Sequence, residues 1–271
     1  EELTPCLVTQ HLRFSLPYRD VFSRTPAAEV VSKLVRALAV LLVRLHLLGF
    51  YWGDVSLSNT LFRRDADQFS AYLVDAETGE VLFARHADSR RYPASLTKMM
   101  TLYMAFTAIE RGQVRLDSRF TVSTHAASQP PSRLGLRPGQ QIELRYLIRA
   151  AAVKSANDAA TVIGEGLAGS EAQFGAQMTQ MARALGMRNS NFRNANGLTQ
   201  EGHYSSARDL SILGRRLFYD FPQYYSIFSR RTADAGVATV ASTNKRFLDS
   251  YAGADGIKTG YTRAAGFNLT A

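Results

Sequence analysis

Residues 90–112 read RRYPASLTKMMTLYMAFTAIERG. Pro93 precedes a helical run from Leu96 to Arg111, and Gly112 stops it. Leu96, Met99, Met100, Leu102, Tyr103, Met104, Phe106 and Ile109 leave almost no polar face, so this helix is expected inside a domain rather than on its surface. Ser95 and Lys98 stand at its start, spaced so that they share one helical face. A serine hydroxyl is a poor nucleophile at neutral pH and needs a base. A lysine can be that base when burial and a neighbouring cation lower its pKa. The apolar helix around Lys98 supplies the burial, and Lys258 is a candidate for the second cation. Taken alone, a Ser-x-x-Lys reads first as a helix start with a solvated lysine.

Working outward, residues 71–75 and 80–84 read as two short strands around the turn Asp75-Ala76-Glu77-Thr78-Gly79. Residues 143–153 form a second helix, ending near Lys154-Ser155-Ala156-Asn157. Further helices are expected from Ala159 to Leu167, from Glu171 to Leu185 with Gly186 as the stop, and from a cap at Ser205 or Ser206 through Leu217. Residues 237–271 return to short strands with glycine punctuation. Strands, then a block of helices, then strands argue for an α+β domain: a sheet whose two ends meet, with the helices inserted between.

Two more elements give Ser95 and Lys98 a context. Ser155-Ala156-Asn157 lies in a turn between helices, and Lys258-Thr259-Gly260 lies in an apparent strand. Each is weak alone, but the ordered triple matches the set used by penicillin-binding proteins and class A β-lactamases. From about residue 70 onward the chain resembles the serine D-alanyl-D-alanine carboxypeptidases, the low-molecular-mass penicillin-binding proteins. The stretches VDAETGEVLFARHAD, RRYPASLTKMMTLY, LGLRPGQQI, AAVKSANDAA, NANGLTQEGHYSSARDLSILGRRL and GADGIKTGYT carry the resemblance. It implies a penicillin-binding-protein/β-lactamase-like fold, an antiparallel sheet with a helical subdomain.

The resemblance also implies a chemistry without metal or cofactor. Ser95 attacks the carbonyl between two D-alanines of a peptidoglycan stem peptide, an acyl-enzyme forms, D-alanine leaves and water hydrolyses the ester. Lys98 would take the Ser95 proton. Ser155 would relay a proton to the leaving amine, with Lys258 lowering the local pKa values. Asn157 would hold Lys98 and the substrate amide, and Thr259 would bind the substrate carboxylate or backbone. The backbone N–H groups of Ser95 and Tyr261 would form the oxyanion hole. Gly260 would leave room for a strand-like substrate beside it. β-Lactams are the expected covalent inhibitors. A D,D-endopeptidase has the same motifs and is the alternative within the fold; a catalytically dead module that keeps the groove is another. A β-lactamase would need a deacylating Glu after the Ser-Ala-Asn element, and none is evident.

Blander readings stand beside these. Asn157 could be only a helix N-cap, and Thr259 an ordinary strand threonine. Met99, Met100 and Met104 read as core filler. His125 and His203 read as structural or exposed, and the five histidines lack metal-ligand spacing.

The chain has 271 residues with 32 Lys+Arg against 23 Asp+Glu, net +9, and one cysteine, Cys6. That is enough for a sizeable core and excludes a disulfide-stapled or wholly disordered chain. Residues 1–67 carry net +1 and residues 68–271 net +8. The field admits association with an anionic membrane surface. With no basic run or nucleic-acid motif, no nucleic-acid partner is expected and a scattered, solvated surface is the reading. Leu34 to Phe50 is the most apolar stretch, but Arg36, Arg44 and His46 interrupt it, so a core helix over 27–48 is expected rather than a membrane span. The first residues show no signal peptide; the family resemblance alone implies the periplasm or cell envelope.

Two departures from the family are expected. The chain stops at Ala271, just after the strand Gly266–Thr270, so the domain is expected to lack its last strand and covering helix. Unpaired backbone and an uncovered apolar face would follow, leaving the chain unstable or inactive. Residues 1–67 resemble instead a fragment of a bacterial kinase-like family, on the passage YWGDVSLSNTLFRRDA. Asp54 and Asn59 have the spacing of a catalytic Asp and a Mg²⁺-binding Asn, and Asp75 would be the second metal ligand. The expected domains are therefore 1–67, a kinase-like helix-loop fragment, and 68–271, the carboxypeptidase-like domain.

Overall fold

The computed structural model describes residues 70–250 and 254–271. The helix expected over 27–48 and the Asp54–Asn59 pair lie outside the described residues. The first described strands, β1 (Ala71–Val74) and β2 (Val81–Arg85), form the expected antiparallel pair, with Tyr72 opposite Ala84 and a register shift between Leu73 and Val74. Asp75 makes the turn: its Oδ1 accepts from Thr78 N at 2.7 Å and Thr78 Oγ1 at 2.9 Å, and these bonds hold its carboxyl below the usual range. Gly79 closes the turn at φ +77°, a conformation that costs a glycine little.

Ala94–Leu96 form a single 3₁₀ turn that opens α1 (Thr97–Glu110). Its residues from Thr97 to Tyr103 are all buried, as the apolar run requires. The core around it draws in Leu144, Leu147, Val162, Ile163, Phe174, Met178, Leu213 and Leu217. These come from α3 (Leu144–Arg149), α4 (Asn157–Ala168), α5 (Glu171–Ala184) and α6 (Ala207–Asp220). Ser170 caps α5 by accepting from Gln173 N, and Ser206 caps α6 by accepting from Asp209 N. A short helix, α2 (Thr124–Ala127), lies between β3 (Arg119–Thr121) and β4 (Gln141–Glu143), which pair antiparallel.

The helix expected over 143–153 is not regular. It runs as α-helix only to Arg149 and widens into a π-helical turn over Ala150–Lys154. Ser155 follows in the left-handed region, φ 60°, ψ 34°, and Ala156 N reaches back to Ala150 O at 3.1 Å. α4 begins at Asn157, two positions before the expected Ala159, and α6 runs past Leu217 to Asp220. Pro222 opens the next helix, α7 (Pro222–Tyr225), and Ser226–Ser229 form a 3₁₀ turn.

The last part also departs from a plain run of strands. β5 (Thr232–Asp234) and β6 (Thr239–Ala241) pair, then a helix, α8 (Lys245–Ser250), intervenes before β7 (Lys258–Thr262) and β8 (Gly266–Thr270). The expectation that the two ends of the sheet meet needs correction. Among the described residues there are four separate two-stranded ladders, and β1 pairs only with β2 and β8 only with β7. A cavity of about 1570 Å³ is lined by residues of both β1 and β8. Strands bond only at a spacing of about 4.8 Å, and no ladder joins these two. The class is nonetheless α+β, helices with small antiparallel sheets.

Candidate active site

The same cavity is lined by Ser95, Ser155, Asn157, Thr259, Gly260 and Tyr261. The three sequence elements, though far apart in the chain, therefore meet at one place. Ser95 occupies the middle of the 3₁₀ turn that begins α1. The turn starts at Ala94, a non-glycine residue at φ +49°, fully buried. A left-handed alanine is costly and persists where packing over-determines it. Gly197 supplies that packing: a Cβ there would fall 1.8 Å from Ala94 O.

Lys98 Nζ lies 3.1 Å from Ser95 Oγ, 2.7 Å from Asn157 Oδ1 and 2.7 Å from Asn196 O. Its side chain is fully buried. Burial lowers its pKa well below that of an ordinary lysine, the charge of Lys258 lowers it further, and Asp158 opposes both. In the neutral amine only two N–H bonds remain. Both carbonyl partners can only accept, so they take those two hydrogens and the nitrogen lone pair is left facing Ser95. The hydroxyl then donates to the amine, which is the arrangement a general base requires.

Asn157 is not the N-cap of α4; that position is Ala156, and Asn157 is the first helical residue. Its side chain instead accepts from Lys98 and donates to Pro130 O at 2.9 Å. Ser155 reaches the cavity because the π turn ends in a left-handed residue there. Asp158, one residue beyond Asn157, is fully buried and accepts from the backbone N–H groups of Leu134, Gly135 and Leu136. It fastens the 130–136 loop beside the Ser-Ala-Asn turn. The sequence reading gave it no role.

In the third element, Lys258 is fully buried, and burial brings its pKa down to about 7. Its Nζ donates to Thr259 O at 2.8 Å. Gly260 lies directly against the nucleophile, since a Cβ there would be 2.9 Å from Ser95 N. Tyr261 is 58% exposed, and its ring packs on Phe267 at 4.6 Å. Thr259 is more than an ordinary strand residue, because both its N–H and its hydroxyl bond to Asn244.

Several residues around this centre escaped the sequence reading. Thr101 Oγ1 donates to Ala195 O at 2.6 Å, and Ala195 N donates to Glu171 Oε1 at 3.1 Å. Asn196 Nδ2 donates to Gln129 Oε1 at 3.1 Å and to Thr161 Oγ1 at 3.0 Å. Together they clamp the turn whose carbonyl holds Lys98. His125 pairs with Glu171 at 2.8 Å on the outer side of this clamp. His203 is buried, and burial, aided by Arg193, lowers its pKa to about 4. Its Nδ1 accepts from Arg193 N, so Nε2 carries the hydrogen and faces Thr97 Oγ1 at 2.9 Å. Asn-Gly before an otherwise loop-like stretch was the one signal that could have pointed to the clamp. Among the described residues, no three His, Cys, Asp or Glu side chains converge as metal ligands, and no helix is long and apolar enough to cross a membrane.

Comparison with known proteins places the chain in a family. Residues 59–271 match the family model described as D-alanyl-D-alanine carboxypeptidase. The match starts nine residues before the domain boundary expected at residue 68. The chain is 38% identical over 207 residues to the D-alanyl-D-alanine carboxypeptidase DacF of Bacillus subtilis, covering 74% of this chain and 53% of that protein. Penicillin-binding protein 5 of Haemophilus influenzae superposes with a TM-score of 0.70 at 33% identity, over 74% of this chain and 59% of that one. Penicillin-binding protein D2 of Listeria monocytogenes, in its ampicillin-bound form, superposes with a TM-score of 0.63 at 32% identity, over 73% of this chain and 81% of that one. The chain spans about half the length of the curated relatives it matches.

Proposed function

The chain belongs to the D-alanyl-D-alanine carboxypeptidase family, and on that premise we propose that it is a serine D,D-carboxypeptidase that removes the terminal D-alanine of peptidoglycan stem peptides and is acylated by penicillins. The observation that carries this reading is the buried Lys98 amine 3.1 Å from Ser95 Oγ, with its other two partners both carbonyl acceptors.

The steps follow from the residues. Lys98 accepts the Ser95 proton as Oγ attacks the carbonyl carbon of the D-Ala-D-Ala bond. The negative charge that develops on the carbonyl oxygen is met by the N–H groups of Ser95 and Tyr261. Removal of one such donor typically costs about a hundredfold or more in rate. As the C–N bond breaks, the proton held by Lys98 passes through Ser155 to the leaving amine, while the charge of Lys258 lowers the local pKa values and favours its release. Asn157 and Thr259 hold the substrate backbone and its carboxylate end. Water then attacks the Ser95 ester as Lys98 takes its proton; the proton returns to Ser95 Oγ as the ester C–O bond breaks, and the shortened peptide leaves. A penicillin follows the first half of this course, with ring opening in place of amine release. The substrate lies outside the cytoplasmic membrane, so the reading assigns the protein to the cell envelope.

Stoichiometric labelling by a fluorescent penicillin, absent in Ser95→Ala, is the expected result. D-alanine release from a pentapeptide ending in D-Ala-D-Ala accompanies it. A folded chain that takes no label, or one whose Ser95→Ala variant is labelled as well as the wild type, refutes the proposal.

A further inference from the structure

We infer that Asn244 is a positioning residue, acting on the ligand through Thr259. The inference rests on the function proposed above. Asn244 is 3% exposed and lies between β6 and α8, away from all three sequence motifs. Its Nδ2 donates to Ile257 O at 3.1 Å. Its Oδ1 accepts from Thr259 N at 3.2 Å and from Thr259 Oγ1 at 2.6 Å. The amide orientation is forced, because a backbone carbonyl can only accept and a backbone N–H can only donate. Oδ1 therefore faces Thr259, and the Thr259 hydroxyl must be the donor to it.

Two consequences follow. The side chain bridges residues 257 and 259 and so holds the start of β7, where Lys258 donates to Thr259 O. The same bond holds the Thr259 hydroxyl at the wall of the cavity that Thr259 lines with Ser95. Asn244 itself is anchored by its own N–H, which donates to Ser242 Oγ at 3.0 Å. A buried side chain satisfied on both ends by one short strand segment is a device for setting the rotamer of Thr259.

The test is a double-mutant cycle on the full chain, reading the second-order rate of labelling by a fluorescent penicillin together with the thermal transition. Asn244→Ala is expected to slow labelling about tenfold, the size of a lost hydrogen bond of this kind. In a Thr259→Val background the same substitution is expected to cost less than about twofold, because the group it positions is gone. Equal costs in the two backgrounds overturn the inference while leaving the proposed function standing. A wild-type chain that takes no label overturns both. Should Asn244→Ala fail to fold, Thr259→Ser decides the matter with Asn244 intact. Its hydroxyl lacks the methyl that restricts χ1 and stays in place only if Asn244 holds it. A rate within about threefold of wild type is then expected, and a loss as large as that of Thr259→Val refutes the inference.

Discussion

Gly260→Ala separates the geometry of the site from the stability of the fold. An alanine Cβ at this position would stand 2.9 Å from Ser95 N, 3.0 Å from Leu96 Cδ1 and 3.2 Å from Ala94 Cβ. Ordinary contact begins at 3.4 Å, so β7 must withdraw from Ser95 N by about half an ångström. The obstacle is backbone and cannot swing aside. Ser95 N and Tyr261 N are the two oxyanion donors in the proposed reaction, and such donors act only within about 2.7–3.1 Å of the oxygen. Widening the pair by this amount is expected to slow acylation about a hundredfold. Stability should barely change. The φ of Gly260 lies outside the left-handed region, so alanine is allowed there and gains about 0.4–1 kcal/mol by restricting the unfolded chain, which offsets the disturbed packing. Time-resolved labelling with a fluorescent penicillin, alongside a thermal melt, measures both. An alanine variant that labels within about threefold of wild type at an unchanged melting temperature would refute the role given to the Gly260–Ser95 contact.

Other perturbations test other parts of the site. Lys258→Met removes a buried amine whose pKa burial has brought down to about 7. The unfolded chain holds that proton up to about pH 10.4, so wild-type stability rises with pH between about 7 and 10. The variant should lose that rise and gain roughly 1–4 kcal/mol at neutral pH, while its acylation falls; chemical denaturation at pH 7 and pH 9 checks both. The same substitution takes away the charge that lowers Lys98, so the acidic limb of the residual acylation rate should move to higher pH, and a limb that stays put contradicts the coupling. Glu171→Gln loosens the turn carrying Asn196 O and should slow acylation several-fold, with a smaller effect of the same sign on the melting temperature. Ser155→Gly relieves a left-handed φ of 60° and should raise the melting temperature by a few degrees, relative to Ser155→Ala, while both lose acylation; equal melting temperatures for the two would argue against the strain.

Much of the site was legible because its chemistry depends on short-range spacing. Ser95 and Lys98 share a helical face whatever surrounds them, and a run as apolar as Leu96–Ile109 has to be buried. The β1–β2 turn was readable for the same reason, since Asp75, Thr78 and Gly79 complete it among themselves. Asp75 was ambiguous in sequence, and in the fold its carboxylate serves that turn.

What the linear pattern could not carry were the contacts between segments far apart in the chain. The irregular end of the 143–153 helix arises because a widened turn, and not a regular one, delivers Ser155 and Asn157 to the cavity. Asn157 could be read as a partner of Lys98 or as only a helix cap, and the approach of Lys98 and Pro130 decided that its side chain faces inward. Asn244, Asn196 and Asp158 are ordinary polar residues in sequence; burial makes each hydrogen bond obligatory and turns them into supports for Thr259, Lys98 and the 130–136 loop. Whether the end strands join into one sheet likewise depends on distances between ladders that local propensity does not encode. The sequence by itself determined which groups could react, through residue type and helical period. The tertiary structure alone decided their protonation and orientation, because both depend on what excludes water around them.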